Sequence, residues 1–544
     1  MGQKLLALYG NKVKNTWKIA FFSAFFLGLL VHMYQFTNYS PNHDGLYNFY
    51  GSQNMIGSGR WFLAAACSLS TFFDLPWVIG VVSVTFMALT AAVITEVFGM
   101  ENPCLIVVCS GLLVSFPAVA ETMFFAFTAD GYMAAMFLGA LAVAVSKIPH
   151  CGSRKRFLLS AACICLVCAI YQAYVSFAFV LAVCYFLYEL LENRYAVKAY
   201  GEWIAYQAGI YLVGLLSYYA VWQILLKASG TAASSYEGIS AIGVVNAGTI
   251  LTAIKNSLVS FVWFFLERNP LKYGLSVYSV LGCLFGIAFV AVCAAAFFKS
   301  GIFRRKLEAV LFLLCLIVLP FGCYLCYFVS PGTQYYTRML QSIVVLYLFL
   351  GVLCERWIGA KYKDLILVLL IAVTVNHSLT ANVAYAYLNR CHEQSLATAV
   401  ELSTRIHLED DGTARYIAFL GGQGGPASIS EEDYMDSAKL GTLGPVKSVN
   451  YSLLSGHDLI ILFLSQYTDF TLEYYQANDL EFPVYHPDPN APVAGDFEFR
   501  FPIAEEARRM ELKDSEEAAQ MGIWPAKDSV KLIGDTIVVK LSEE

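Results

Sequence analysis

Residues 77–98 read WVIGVVSVTFMALTAAVITEVF, an apolar run in which Glu96 is the single charged residue. A helix that crosses the hydrocarbon core of a bilayer needs about 20 mostly apolar residues. This run meets that length, and similar runs recur along the chain. The predicted spans are 18–36, 77–98, 104–120, 126–146, 157–171, 174–191, 203–226, 274–298, 307–328, 339–354 and 364–383. The sequence therefore predicts a polytopic α-helical membrane protein with about eleven transmembrane helices.

Residues 244–266 form one more apolar stretch, with Lys255 and Asn256 at its centre. A charge in the middle of a membrane costs about 3 kcal/mol. Counting this stretch as a span would also move the basic cluster Lys299–Lys306 to the other side of the membrane. We therefore interpret it as an interfacial or re-entrant helix in a long loop.

The composition divides the chain into two domains. Of the 544 residues 58% are hydrophobic and 14% are charged, with a mean hydropathy of +0.59, whereas soluble domains carry about 25% charged residues. Before Tyr385 there are 23 Lys and Arg against 14 Asp and Glu, and from Tyr385 onward there are 12 against 27. The sequence predicts a transmembrane domain at 1–384 and an acidic soluble domain at 385–544. An acidic surface argues against nucleic acid as a partner.

The tail has the pattern of a small α/β domain. A helical pattern at Tyr385–His407 precedes several short apolar runs. The predicted strands are Tyr416–Leu420, Leu459–Leu464, Val530–Ile533 and Thr536–Leu541. Fourteen of the 15 cysteines lie before residue 385, so no disulfide framework is expected in this tail.

The positions of lysine and arginine predict the orientation. With the N-terminus inside, the inner segments carry 17 of these residues and the outer loops carry six. Cytoplasmic loops of membrane proteins are enriched in Lys and Arg. An odd number of spans then puts the C-terminal domain on the extracytoplasmic side of a plasma membrane.

Candidate functional residues collect at the predicted outer face. They are His43, Asp44, Arg60, Glu121, Asp130, Tyr171, Gln172, Tyr335, Tyr336 and Arg338. Ordinary roles are alternatives for each of them. An acid at a helix end can be a cap, and arginine or tyrosine at a membrane surface can be an interfacial anchor. The inner loops carry mainly basic orientation signals, so the outer face is the better candidate for a site.

Acids, arginines and aromatic rings at the outer leaflet suit a lipid-carried sugar donor. The planar fork of arginine pairs with phosphate oxygens. A carboxylate within hydrogen-bonding reach can act as general base toward an acceptor hydroxyl. Sugar rings would stack on tyrosine and tryptophan faces. Such chemistry requires no nucleotide at the site.

Several short motifs resemble a known family. They are Asn42-His43-Asp44 through Gly59-Arg60-Trp61, Phe127–Tyr132, Tyr171–Tyr174, and the ending Trp524-Pro525 through Leu541. Their order and spacing are similar to the bacterial and phage serotype-converting glucosyltransferases of the glucosyl transferase II type. That family belongs to the C-type glycosyltransferase (GT-C) superfamily.

The resemblance implies an inverting transfer of a hexose, usually glucose, from a polyprenyl-monophosphate donor to an extracytoplasmic glycan in bacteria. It places the general base at Asp44. Many members have a second adjacent acid, and this chain has His43 there instead, so Glu121, Asp130 or His43 are alternatives for that role. Metal dependence varies across the superfamily, so a divalent cation stays an open alternative.

The mechanism expected from these residues is a single displacement at the sugar C1. Asp44 would take the acceptor proton, and Arg60 and Arg338 would offset the charge on the departing polyprenyl phosphate. The remaining candidates would bind the sugar or the acceptor. A transporter or flippase for lipid-linked glycans, and a polymerase of such glycans, are the alternatives. A transporter often shows internal repeats, and none is evident here.

Overall fold

The structure is a computed structural model, and it describes residues 13–38, 40–47, 55–68, 75–234, 246–266, 275–330, 333–414, 416–422, 460, 463–464 and 506–543. By their contacts these residues form two units. The first comprises the described parts of Met1–Thr37 and Gln53–Val383, and the second those of Asn38–Ser52, Ala384–Lys439 and Val449–Glu544. The segment Asn38–Ser52, which the sequence analysis placed in the first domain, therefore groups with the second unit. The domain boundary at 384 and the role of each domain stay predictions.

The helices are named in chain order. They are α1 Asn15–Thr37, α2 His43–Tyr47, α3 Leu63–Ala66, α4 Pro76–Phe98, α5 Pro103–Ser115, α6 Pro117–Phe124, α7 Ala126–Val145, α8 Arg154–Ile170, α9 Val175–Glu192, α10 Val197–Ser229, α11 Ala247–Leu266, α12 Val277–Lys299, α13 Lys306–Cys323, α14 Cys326–Val329, α15 Val344–Trp357, α16 Ala360–Glu409, α17 Glu506–Lys513 and α18 Glu516–Ala519. Short 3₁₀ turns lie at Ile148–His150, Gln172–Tyr174, Ile302–Arg304, Thr337–Met339 and Gln341–Ile343.

The described residues contain ten helices long and apolar enough to cross a membrane. This confirms a helical protein with many membrane-spanning segments. Two predicted spans correspond to helices shorter than those ten, since α8 has 17 residues and α15 has 14, and 17 residues cover only about 26 Å. Helix α11 also has the length and composition of a span, so a crossing there is the alternative to the interfacial helix expected from the sequence. The number of crossings and their direction stay predictions.

Proline divides the helical region that carries the candidates Glu121 and Asp130. Asn102 caps α5 by accepting hydrogen bonds from the backbone N–H groups of Cys104 and Leu105 at 3.0 and 3.2 Å. Pro117 lacks an N–H and disfavours helical conformation at Phe116, so α5 ends there and α6 begins. A second break at Phe125 separates α6 from α7. All eight residues of α6 are buried, which places Glu121 inside the first unit.

Small residues allow the helices of the first unit to approach closely. Helix α4 packs against α1 and α7, and α8 packs against α7 and α10. At Gly214 in α10, a Cβ atom would lie 2.9 Å from the carbonyl oxygen of Ala161 and 2.9 Å from Ile164. Only glycine permits this approach of α10 to α8, which is a common basis for helix association in membranes.

Basic residues assigned to the inner segments pair with acids at the ends of spans. Lys14 Nζ lies 2.7 Å from Glu96 Oε2, and Arg356 Nε lies 3.0 Å from Glu192 Oε1. Arg194 Nη2 lies 2.9 Å from the other oxygen of Glu192. These acids near span ends therefore pair with basic residues, which is a structural role.

The second unit contains a three-stranded sheet with the order β1-β3-β2, where β1 is Tyr416–Leu420, β2 is Val530–Ile533 and β3 is Thr536–Lys540. Strand β1 runs parallel to β3, and β2 forms an antiparallel hairpin with β3. Three strand predictions are thus confirmed. Of the predicted strand Leu459–Leu464, the described residues Ile460, Phe463 and Leu464 have helical backbone and are buried, so that prediction is wrong for them. A short apolar run cannot distinguish strand from helix by periodicity.

Candidate functional site

A buried ion pair joins α6 to the 3₁₀ turn Thr337–Met339. Arg338 Nη1 lies 3.3 Å from Glu121 Oε1, and the side chain of Glu121 is fully buried. The Thr337 hydroxyl lies against the same carboxylate. The guanidinium carbon of Arg338 is 4.3 Å from the ring centroids of both Phe125 and Tyr336. Buried charges need a partner in this way, so Glu121 and Arg338, 217 positions apart, are held as a pair.

A second arginine lies among tyrosines. The Nη1 atom of Arg60 donates to the Tyr132 hydroxyl at 3.2 Å, and its guanidinium carbon is 4.7 Å from the ring centroid of Tyr171. The rings of Tyr132 and Tyr171 are stacked, with centroids 4.6 Å apart and planes 10° apart. The guanidinium contacts a ring face and a hydroxyl together, an arrangement that suits arginine better than lysine.

A polar network connects these two arginine sites. Gln341 Nε2 donates to the Tyr174 hydroxyl at 3.2 Å and to Thr122 Oγ1 at 3.3 Å. The ring of Tyr174 contacts those of Tyr132 and Tyr171, with centroids 6.0 and 5.8 Å away. Thr122 is the neighbour of Glu121 in α6. The structure therefore brings Arg60, Tyr171, Glu121, Arg338 and Tyr336 into one contiguous cluster.

Four residues of this cluster are not among the ten candidates predicted from the sequence, namely Tyr132, Tyr174, Thr122 and Gln341. A signal existed for Tyr132, because it ends the Phe127–Tyr132 motif. Gln341 is an amide at the start of an apolar run, three residues after Arg338. Burial was the missing information, since Gln341 and Thr122 are almost fully inaccessible to solvent and buried polar groups require hydrogen-bonding partners.

A cavity of about 800 Å³ begins at Arg60 and continues between α9, α10 and α13. Arg60 is the charged residue of its described lining, and Tyr171, Gln172, Ser330 and Thr333 add polar groups at the same end. Ser176, Gln207 and Tyr211 are polar residues further along the lining. The remainder is mostly apolar. Along α10 the lining extends from Trp203 to Tyr219, which corresponds to about 24 Å of helix.

The wall of this cavity opens sideways. Ile204 and Leu215 of α10 and Leu314 of α13 line it, yet they are 42%, 43% and 51% exposed. Large apolar side chains left exposed on long apolar helices face lipid rather than water. The cavity therefore has the form of a groove whose open side faces the apolar part of a bilayer.

Asp130 is the fifth residue of α7 and is buried. Its Oδ1 atom accepts a hydrogen bond from the backbone N–H of Gly131 at 2.9 Å. The Cys67 thiol lies within hydrogen-bonding reach of the same carboxylate. These contacts favour a part in helix packing, and a sugar-binding role for Asp130 stays a prediction.

Asp44 lies in the first turn of the five-residue helix α2, in the second unit, and is half-buried. Asn42 precedes this helix, and its Oδ1 accepts a hydrogen bond from the backbone N–H of Gly45 at 2.8 Å. Leu46 packs in the core of the second unit. The side chain of His43 lies outside the described residues, so its predicted role is untested.

Gln172 and Tyr335 have protein partners. Gln172 Nε2 donates to the carbonyl oxygen of Ser58 at 2.9 Å and to the Tyr218 hydroxyl at 3.0 Å. The Tyr335 hydroxyl accepts from the backbone N–H of Cys326 at 2.8 Å, and its ring packs on Tyr324. Tyr335 thus points into an aromatic cluster of its own, while Tyr336 contacts Arg338.

The question of a metal ion stays open. Within the described ranges there is no group of three His, Cys, Asp or Glu side chains that could hold one. The carboxylate of Glu121 is committed to Arg338 by the ion pair described above.

A set of long apolar helices around a buried cluster of arginine, carboxylate and tyrosine side chains defines a multi-pass membrane protein. The chain belongs to the glucosyl transferase GtrII family, whose family model matches residues 33–354, more than half of the chain. The resemblance inferred from the motifs is confirmed, and the protein is a glycosyltransferase of the glucosyl-transferring type. No curated protein and no solved structure matches it. All ten candidate residues lie within the matched range.

Proposed function

We propose that the protein transfers glucose from a polyprenyl-monophosphate donor to a glycan outside a bacterial plasma membrane. The observation that carries the proposal is the groove with Arg60 at its polar end. A phosphate headgroup would meet the guanidinium there, and an apolar tail would follow α10. Arginine at the end of an apolar groove suits a lipid phosphate better than a free nucleotide sugar.

The length of the groove supports a polyprenyl tail. A bilayer core is about 30 Å thick, so one leaflet is about 15 Å deep. The lining along α10 covers about 24 Å, which exceeds the depth of one leaflet. A polyprenyl chain is longer than an ordinary acyl chain, and it would fill the groove more completely.

The proposed reaction is an inverting single displacement. Asp44 removes the proton from the acceptor hydroxyl as that oxygen attacks C1 of the sugar. The bond from C1 to the phosphate oxygen breaks, and polyprenyl phosphate leaves. Arg60 offsets its charge, and Arg338 supports the same anion from its place in the cluster. The assignment of Asp44 rests on the motif order of the family.

The other candidate residues complete the proposal. Tyr171 and Tyr336, each beside an arginine, are assigned to sugar binding. The remaining candidates are assigned to binding of the sugar and the acceptor, or to holding the side chains that bind them. They are Glu121, Asp130, His43, Gln172 and Tyr335. The donor would enter from the outer leaflet, in a GT-C-like arrangement with the N-terminus inside and the C-terminal α/β domain outside.

The decisive experiment adds the full-length protein to membranes from cells that lack the gene, because these membranes provide the native acceptor. Three donors are compared, namely polyprenyl-monophosphate glucose, a lipid-pyrophosphate oligosaccharide and a nucleotide sugar. We expect labelled glucose to reach the glycan fraction from polyprenyl-monophosphate glucose. Transfer only from a lipid-pyrophosphate oligosaccharide would indicate a polymerase. Movement of lipid-linked glycan across the membrane without a new covalent bond would indicate a transporter. Transfer from a nucleotide sugar alone would also overturn the proposal.

A further inference from the structure

Arg60 closes a tight turn that begins at Met55. The backbone N–H of Arg60 donates to the carbonyl oxygen of Met55 at 3.0 Å, and that of Gly59 donates to Ile56 at 2.9 Å. Gly59 has a φ of +77°, a left-handed conformation that glycine adopts without steric cost. The chain therefore reverses direction immediately before Arg60, and the geometry of this turn decides where the guanidinium lies.

Two neighbouring elements hold the turn by its carbonyl groups. Trp222 Nε1 in α10 donates to the carbonyl oxygen of Ile56 at 2.7 Å. Gln172 Nε2 donates to the carbonyl oxygen of Ser58 at 2.9 Å and to the Tyr218 hydroxyl at 3.0 Å. Tyr218 and Trp222 are one helical turn apart, and their rings are stacked with centroids 6.2 Å apart.

The turn sits against these side chains with no spare room. A Cβ atom on Gly59 would lie 2.3 Å from the Tyr218 hydroxyl oxygen and 2.8 Å from Gln172 Nε2. Both separations are below 3.0 Å, so a side chain at this position would displace Tyr218 or Gln172, in addition to the strain of a positive φ. The backbone before Arg60 is thus fixed by hydrogen bonds and by shape together.

We propose that Trp222, Tyr218 and Gln172 are positioning residues that hold Arg60 at the polar end of the groove. Arginine loses much side-chain freedom when it binds an anion, and a backbone already ordered lowers that cost. The inference rests on the proposed function, because the anion is the donor phosphate. Because Arg60 binds the donor phosphate before the reaction as well as during it, loss of these residues raises the KM for the donor more than it lowers kcat.

The first arm of the test uses Trp222→Phe, which removes the indole N–H and keeps an aromatic ring. We expect the KM for polyprenyl-monophosphate glucose to rise about tenfold, as for a lost hydrogen bond to a buried carbonyl group. Tyr218→Phe is a second variant with the same direction of change. Trp77→Phe is the matched control, because that indole is 62% exposed in α4, and it should keep wild-type kinetics.

The second arm asks whether Trp222 acts through Arg60. In an Arg60→Lys background we expect Trp222→Phe to raise the KM little further, because lysine lacks the planar guanidinium that Trp222 is proposed to position. A full additional tenfold increase would mean that Trp222 acts elsewhere and would overturn the inference. The inference would also be overturned if the folded Trp222→Phe and Tyr218→Phe proteins both kept the wild-type KM for the donor. If the wild-type protein itself transfers nothing from this donor, the proposed function fails instead.

Discussion

At the scale of single residues, two arginines occupy different surroundings. Arg338 shares a buried ion pair with Glu121. Arg60 contacts the Tyr132 hydroxyl and the face of Tyr171, and it lines the groove. The sequence analysis gave both residues the same role. The structure distinguishes them, and we expect Arg60 to be the more important for donor binding.

Replacing Arg60 with alanine should reduce kcat/KM for the donor about 10- to 100-fold. A hydrogen bond to a charged group contributes about 1.5–3 kcal/mol, and about 1.4 kcal/mol corresponds to a factor of ten. The measurement is donor-dependent kinetics in membranes. Arg154→Ala, an exposed change at the start of α8, is the control. Equal activity of the Arg60→Ala and control variants would remove Arg60 from the site.

Replacing Asp44 with asparagine should lower kcat about 10²- to 10⁴-fold, the usual effect of removing a general base. The amide keeps the size of the side chain and loses the ability to accept the proton. Asp364→Asn, at the start of α16, is a control carboxylate change. Transfer at near wild-type rates would contradict the assignment of Asp44, and the base would then be sought among the other acids.

Breaking the ion pair between Glu121 and Arg338 should destabilise the protein. Removing one partner of a buried pair costs about 3–5 kcal/mol, because the other charge is left without compensation. We expect Arg338→Met to lower the thermal unfolding midpoint in detergent. The double change Glu121→Gln with Arg338→Met should recover much of that stability but not activity. Identical midpoints for the wild-type and Arg338→Met proteins would contradict this account.

At the scale of elements, α10 has two functions in the proposals. Its C-terminal end, with Tyr218 and Trp222, holds the turn before Arg60, and its length forms one wall of the groove. Ala208 lies on that wall between the two ends. Because the helix rises about 1.5 Å per residue, Ala208 is about 15 Å from Tyr218.

A bulky residue at position 208 should therefore affect long donors more than short ones. We expect Ala208→Phe to raise the KM for a long polyprenyl-phosphate donor severalfold, since displaced methylene groups lose about 0.8 kcal/mol each. A donor with a short isoprenoid tail should be unaffected. Ala205→Phe is the control, because Ala205 is exposed on the same helix. Equal effects on both donors would argue against a tail along α10.

The breaks at Phe116 and Phe125 show which element-level features a sequence can predict. Pro117 marks the first break directly. The break at Phe125 has no such signal, because neither proline nor glycine lies next to it in the sequence. Predicting spans by length alone also overestimates α15, whose apolar run begins with two 3₁₀ turns.

At the scale of the whole molecule, the sequence predicted the family, because the family rests on motifs whose order along the chain is visible in the sequence. It could not predict the cluster around Gln341, which depends on contacts between positions more than 160 residues apart. Nor could it place Asn38–Ser52 with the second unit. Such groupings follow from tertiary packing, which periodicity does not encode.

The orientation can be tested on intact cells. The bias of 17 inner to six outer basic residues predicts that an epitope tag after Glu544 is accessible from outside. A tag inserted in the segment between α12 and α13 should be accessible only after the cells are permeabilised. The reverse pattern for that second tag would mean that α11 crosses the membrane and that the basic cluster Lys299–Lys306 lies outside.

The sideways opening of the groove has a consequence for enzymology. A ligand that enters between α10 and α13 arrives by two-dimensional diffusion within the leaflet, not from bulk water. Its effective concentration is then its mole fraction among lipids, and adding detergent at constant donor molarity dilutes it. Apparent affinities measured in micelles would shift with detergent content, so comparisons among variants need a fixed ratio of donor to amphiphile.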